Sequence, residues 1–392
     1  MNILFLISVH DNGVGGHFHS LNHISSKLSE TNNIKIITIG PGYSKVLMTN
    51  PFFYKSINFK YLKFYFLKRE LNKIIKEFKP DIYHFFDLRC YNIIRTILSS
   101  KKNKFVVTKC GGPNQNYDPH VDNLILFSLE NYEWFKRRFK YRKTNIYLIP
   151  NRVKAIKPRK EFILNLKDEN FTFVRICRIG ISYKKSILDS FNLIKKIIDS
   201  GISNIKLIVI GSIENIKFYN ELKNNELVIN GFIQFYTDEN YTKEASKMLL
   251  LADAVIGTGR GLMEAASLSI PLLTINSKGE IPVLINKNNF WDAFKTNFSE
   301  RNIFDNLDDN ENLKNIVKLI KNKYYYEEMS SFSKHLFDYY FNIDRVIFLY
   351  NKVYKNLTIS SKRYLLLDSL SIIRSIINIT RHHIIYKIKT KS

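Results

Sequence analysis

Three short segments carry residue types and spacings suited to a phosphorylated ligand. The first, Arg178-Ile-Gly-Ile-Ser-Tyr-Lys184-Lys185, follows a short apolar run. Cations at such a strand end would offset the charge of a diphosphate and stabilise it as a leaving group; a solvated basic loop reads the same way. The second, Val255-Ile-Gly-Thr-Gly-Arg-Gly-Leu-Met-Glu264, passes from a strand-like run into a helical one through Gly259, Arg260 and Gly261. Backbone amides there could hold a diphosphate, and Glu264, one turn into the helix, could accept bonds from ribose hydroxyls. Completing a helix cap is its other reading. The third is Gly15-Gly16, where free amides at a helix start again suit phosphate, although a flexible turn has the same composition. Neither the GxGxxG dinucleotide fingerprint nor the GxxxxGK(S/T) phosphate loop occurs.

Histidines and acids need the same weighing. His17, His19 and His23 cluster on the first helix, but no Cys or second His motif supports zinc, so no metal site is expected. His84 ends a strand on the side where ligands of parallel sheets bind, and reads either as a catalytic residue beside a bound ligand or as a hydrogen-bonded core histidine. Asp87 and Asp118 are further candidates for ligand contact.

These residues need elements to hold them. Short Ile/Val/Phe-rich runs (Ile3–Val9, Ile34–Ile39, Asp81–Phe86, Lys104–Thr108, Asn123–Phe127, Ile146–Ile149) alternate with helical patterns such as Phe18, Leu21, Ile24 and Leu28. That alternation predicts a parallel sheet covered by helices. It restarts with strands at Phe171–Cys177, Ile205–Ile210, Leu227–Ile229, Asp253–Ile256 and Pro271–Ile275. The expectation is an α/β chain of two facing doubly wound Rossmann-like domains, at 1–153 and 169–340. A polar linker covers 154–168, a closing helix 341–360 and a basic amphipathic tail 361–392. Ligands of such sheets sit at the carboxyl ends of the strands.

Composition narrows the class. The 392 residues are 45% hydrophobic, enough for large cores and too many for a mainly disordered chain. Three scattered cysteines, Cys90, Cys110 and Cys177, argue against a disulfide framework and for a reducing compartment. The apolar N-terminus reads as a first strand rather than a signal peptide, since it lacks a basic start and a small-residue cleavage site. A net charge of +25 calls for an anionic partner: nucleic acid, a membrane face or a phosphorylated small molecule.

Taken together, the motifs resemble those of GT-B glycosyltransferases of family 4 (group 1), over most of the chain. The matching pieces are Gly15-Gly16, Lys79-Pro-Asp-Ile-Tyr-His84, Ile146-Tyr-Leu-Ile-Pro-Asn151, the Arg178/Lys184 pair, and Ala252-Asp253 with Glu264-Ala265 and Pro271. Lys109-Cys-Gly-Gly-Pro-Asn114 and Phe127-Ser-Leu-Glu-Asn131 are similar to stretches of polysaccharide-assembly members. The resemblance implies a UDP- or GDP-sugar donor on the C-terminal domain and a glycan or lipid-linked acceptor on the N-terminal one. It further implies retention of anomeric configuration and no catalytic metal or other cofactor. By the same resemblance Arg178 and Lys184 bind the donor diphosphate, Gly259, Arg260, Gly261 and Glu264 the nucleotide, and Gly15 and Gly16 approach the phosphate from the other domain. Asp87, Cys110 and Gly111 fall on the acceptor side. Two departures stand out: Ile256 replaces the glutamate that often precedes Glu264 by eight positions, and Cys110-Gly111 replaces a common His-Gly. The first departure keeps a second reading open, a non-catalytic nucleotide- or sugar-binding protein.

The charge is uneven. Residues 1–150 hold 23 Lys/Arg against 10 Asp/Glu, much of it in Lys55–Lys79 and in Trp134-Phe-Lys-Arg-Arg-Phe-Lys-Tyr-Arg-Lys143. In the tail, Leu366, Leu370, Ile373, Ile377, Ile384 and Ile388 share one helical face, with Lys362, Arg363, Arg374, Arg381 and Lys387 largely off it. That pattern fits an interfacial helix or a helix docked on the protein. An anionic membrane is therefore the expected partner, with a cytoplasmic protein peripheral on its inner face, and nucleic acid is not.

Overall fold

A computed structural model describes residues 1–10, 12–59, 64–98, 103–157, 168–305, 307–359 and 364–389. The chain divides into two compact units, residues 1–152 with 343–392, and residues 153–342.

Unit 1 is built on a seven-stranded parallel sheet: β1 (Asn2–Ser8), β2 (Asn33–Ile39), β3 (Phe53–Ile57), β4 (Ile82–Phe85), β5 (Phe105–Lys109), β6 (Asn123–Leu126) and β7 (Asn145–Leu148). Its order is β3-β2-β1-β4-β5-β6-β7. β1 lies inside the sheet, between β2 and β4, and Ile3 through Ile7 are fully buried, as a strand covered on both faces requires. One face packs against helix Phe64–Phe78 through Leu67, Leu71 and Ile74. The other packs against helix Gly16–Leu28 and against Val346, Tyr350, Val353 and Tyr354 of helix Val346–Lys355. The chain thus returns to unit 1 after building unit 2.

Unit 2 holds a six-stranded sheet: β8 (Phe171–Ile176), β9 (Ile205–Ile210), β10 (Ile233–Tyr236), β11 (Ala254–Gly257), β12 (Leu272–Thr274) and β13 (Val283–Leu284). The order is β10-β9-β8-β11-β12-β13, all parallel except β13 against β12. Strand order reverses between β8 and β11, so the carboxyl ends of those two strands flank the position where doubly wound sheets bind ligands.

Several expected elements differ. Leu227–Ile229 is a helical turn, Glu226–Ile229, capped by the Asn225 side chain at the Leu227 amide (3.0 Å); the strand comes at β10. β3 is an edge strand with exposed Tyr54, Lys55 and Ser56, and an edge needs little apolar patterning. The sequence pattern also predicts a helix over Thr242–Leu251; the structure has a four-residue helix, Glu239–Thr242, then a turn and a 3-10 segment, Ala245–Leu251. Most of the expected linker, including Pro158, lies outside the described residues, as do Lys362 and Arg363, the side chains of Ile384, Lys387 and Ile388, and Leu62, where the sequence pattern starts the helix that runs to Phe78.

Candidate functional site

Within unit 2, three loops leave the sheet at the same edge. After β8, Arg178 is half exposed; its guanidinium pairs with Glu214, donates to the Tyr183 hydroxyl at 3.0 Å and lies 5.3 Å from that ring's centroid. Glu214 belongs to the loop after β9. That loop is drawn against β8 by backbone bonds from Glu214 and Asn215 to the Ile179 carbonyl. Gly211 permits this approach: a Cβ there would meet the Cys177 carbonyl oxygen at 1.8 Å.

Lys184 opens helix Lys184–Asp199, whose first turn contains no acid. A lysine at a helix N-terminus faces the positive end of the dipole, and an anion bound there would relieve both. Lys184 is exposed and lies 5.6 Å from the Phe218 ring centroid. Lys185 is committed elsewhere, to Asp189 (2.6 Å) and to the carbonyls of Gly279 (2.8 Å) and Asn276 (3.3 Å). Below them the buried Arg175 donates to Ser186 at 2.5 Å and lies 3.7 Å from Glu300. It therefore ties the start of this helix to the segment that supports the third loop.

The third loop follows β11. Gly259 caps helix Arg260–Ser267 at φ +53°, ψ −123°, a conformation suited to glycine alone. Its amide donates to the Phe298 carbonyl at 2.7 Å, and Asn297 and Phe298 are themselves left-handed (φ +59° and +55°). Such non-glycine strain is a mark of sites held by their surroundings. A Cβ on Gly261 would meet nothing within 4 Å. Glu264 does not cap the helix; it pairs one turn back with Arg260, both largely buried. Ile256 is a fully buried β11 residue and belongs to the core.

Unit 1 gathers its candidates at the carboxyl ends of β1, β4 and β5. Gly15 precedes helix Gly16–Leu28, and a Cβ on Gly16 would meet nothing within 4 Å. Asp87 is a structural clasp: one carboxylate oxygen accepts from the Ser8 amide and the other from the Cys90 amide, each at 2.7 Å. It caps helix Leu88–Ile97 and joins two strand ends. Cys110 is half-buried, with its thiol pushed well up by burial, and Gly111 (φ +132°) stands in open space. The segments Lys109–Asn114 and Phe127–Asn131 meet here: Asn131, fully buried, donates to the Gly112 carbonyl (3.1 Å) and to Asn114 Oδ1 (2.7 Å). Asp118 is buried and its carboxyl is pushed up by desolvation.

His84 has a different place from the catalytic one expected. It is fully buried, with Nδ1 2.8 Å from the Tyr354 hydroxyl and Nε2 2.7 Å from Thr108 Oγ1. Burial pulls it down to about 3, so the ring is neutral. Both nitrogens are committed inside the protein, so the core reading applies. Among the described residues no three His, Cys, Asp or Glu side chains converge as a metal site. Nothing in the sequence singles out Glu214 or Arg175, or Tyr183 within its motif; the glycine closing β9 is the signal that its loop approaches β8.

Comparison with known proteins bears on the fold. Residues 3–129 match the family model "Glycosyl transferase 4-like". No curated protein matches the chain. Among solved structures, a glycosyltransferase from Rickettsia africae is 14% identical over 90% of this chain and 98% of that chain, with a TM-score of 0.63. Alr3699/HepE of Anabaena, solved with UDP and glucose, is 12% identical over 91% and 100%, at 0.64. A UDP-GlcNAc 2-epimerase from Neisseria meningitidis, bound to UDP-GlcNAc, is 12% identical over 91% and 100%, at 0.55. The fold is thus the GT-B arrangement of two Rossmann-like units with a helical C-terminal part.

Proposed function

We propose that the protein is a retaining, metal-independent glycosyltransferase that moves a sugar from a UDP- or GDP-sugar to a glycan or lipid-linked acceptor. Its setting would be surface-polysaccharide assembly, at the inner face of the cytoplasmic membrane. The observation that carries this reading is the gathering of Arg178, Lys184, the Gly259–Gly261 turn and Glu264 at the carboxyl ends of β8 and β11, in a fold shared with a structure holding UDP and glucose.

In this reading the acceptor hydroxyl adds to the anomeric carbon as the bond to the diphosphate breaks. The electron pair stays on the diphosphate oxygen, where Arg178 and Lys184 meet the developing charge. Amides at the start of helix Arg260–Ser267 hold phosphate, and Glu264 takes the ribose hydroxyls, held in place by Arg260. Cys110 and Gly111 border the acceptor.

The test is donor hydrolysis or transfer across a panel of nucleotide sugars, preceded by thermal-shift screening, since a ligand of the native state raises its melting point. Lys184→Ala should lower turnover by about 100-fold or more, the size expected for one transition-state charge contact. Unchanged turnover in a folded variant refutes the assignment. Tight nucleotide binding without turnover on any donor assigns a binding protein instead.

A further inference from the structure

The C-terminal helices of unit 1 dock the wrong way round. Helix Tyr364–Leu367 and helix Ser369–Lys389 turn Asp368, Ser371 and Ser375 inward, and all three are buried. Asp368 accepts from Arg95 (2.8 Å), from the His120 amide (2.8 Å) and from His120 Nδ1 (2.7 Å). Asn92 donates to Ser371 (2.8 Å) and Ser375 (3.0 Å). The aliphatic stripe faces out: Leu366 is 85% exposed, Leu367 63%, Leu370 71%, Ile373 50% and Ile377 58%. An ordinary surface helix buries its apolar stripe and exposes its polar one. Here a specific polar anchor holds the apolar stripe towards solvent.

The surroundings of the stripe are basic. Lys140 lies 3.8 Å from Asp368, which sets the turn Phe139–Tyr141 beside the start of the stripe. Phe139 is 75% exposed there, with the Arg142 guanidinium 4.0 Å from its ring centroid. Arg137, Arg138 and Lys143 are exposed on the same segment, and Arg374 and Arg381 on the helix itself. Among the described residues 364–389 the only acid is Asp368, in the turn between the two helices, and it is buried. A stripe about 16 Å long, aliphatic and rimmed by cations, matches a surface that is apolar a few ångströms down and anionic at its edge. No helix among the described residues is long and apolar enough to cross a membrane.

We propose that this stripe and the adjoining Arg137–Lys143 turn form the face by which the protein lies on an anionic lipid bilayer. The inference deepens the membrane setting proposed above and rests on that reading for its purpose, while the binding is measured without any sugar donor. The full chain is sedimented with vesicles of phosphatidylcholine alone or in equal parts with phosphatidylglycerol. Binding to the anionic vesicles is expected, weakened by salt. Leu366→Ser/Leu370→Ser/Ile373→Ser should lower partitioning about tenfold or more while leaving circular dichroism and melting unchanged, because the replaced side chains are exposed. Arg137→Gln/Arg138→Gln/Arg142→Gln should remove most of the salt sensitivity. Absence of binding by the wild type, or equal binding by the serine variant, overturns the proposal. So does a wild-type dimer, seen by sedimentation velocity, that the serine variant dissolves without any vesicle binding; the occupant would then be a second copy. Vesicle binding by a protein without transferase activity would leave this face standing and remove the catalytic reading.

Discussion

The buried histidine makes unit 1 measurably acid-sensitive. His84 is neutral in the folded state because burial lowers it to about 3, while in the unfolded chain it returns to about 6.5. Between those values only the unfolded chain takes up the proton, so stability falls as pH drops through 6.5 and stops falling below about 3. Each pH unit is worth about 1.4 kcal/mol, so going from pH 7 to pH 5 should cost about 2 kcal/mol from this one group. His84→Gln removes the titration, whatever constant penalty follows from changing its bonds to Tyr354 and Thr108. The assay is urea unfolding at both pH values. Trp134, the tryptophan of unit 1, serves as the probe after Trp291, which lies in unit 2 and is 55% exposed, is changed to Phe. The pH 7-to-5 loss should be about 2 kcal/mol larger in the parent than in His84→Gln. Equal losses in the two would refute the argument that burial, rather than a ligand contact, governs this histidine.

Two further substitutions test the supports of the two sites. Asp368→Asn leaves the guanidinium of Arg95, 4% exposed, without its countercharge at a cost of about 3–5 kcal/mol; protease cutting within helix Ser369–Lys389 should rise sharply, and unchanged protection would contradict the anchor. Gly259→Ala has room for its Cβ, whose nearest atom is 4.0 Å away, but not the φ. It should therefore cost about 1–3 kcal/mol of stability and weaken nucleotide binding by calorimetry; an unchanged melting point would show that the turn carries no strain.

The doubly wound architecture was legible because buried parallel strands are continuous apolar runs. β1 stands out in the chain for that reason, β8 and β9 are broken only by Thr172, Arg175 and Lys206, and Phe18, Leu21, Ile24 and Leu28 all turn inward as their spacing suggests. β3 was not legible, because an edge strand can be polar, and β13 is only two residues long. At the sites, glycines flagged the turns, since close approach and left-handed backbone restrict residue type. Pairings across the fold left no local trace: nothing near Arg178 in the chain announces Glu214, and nothing near Gly112 announces Asn131. The C-terminal stripe was visible as a pattern. Which side of that helix faces the protein depends on Asn92, Arg95 and His120, more than 200 positions away.

The return of the chain to unit 1 has a consequence for synthesis. The face of the first sheet that carries Phe5 and Ile7 is completed by Val346, Tyr350 and Tyr354, which leave the ribosome after the whole of residues 153–342. At ~5–20 residues per second, those 190 residues take about 10 to 40 s. For that interval the nascent first unit carries an apolar sheet face covered only in part, by helix Gly16–Leu28, while unit 2, continuous in sequence, can fold as it emerges. The second unit is therefore expected to mature first, and the first to remain a chaperone client until the last turns of the chain close over it.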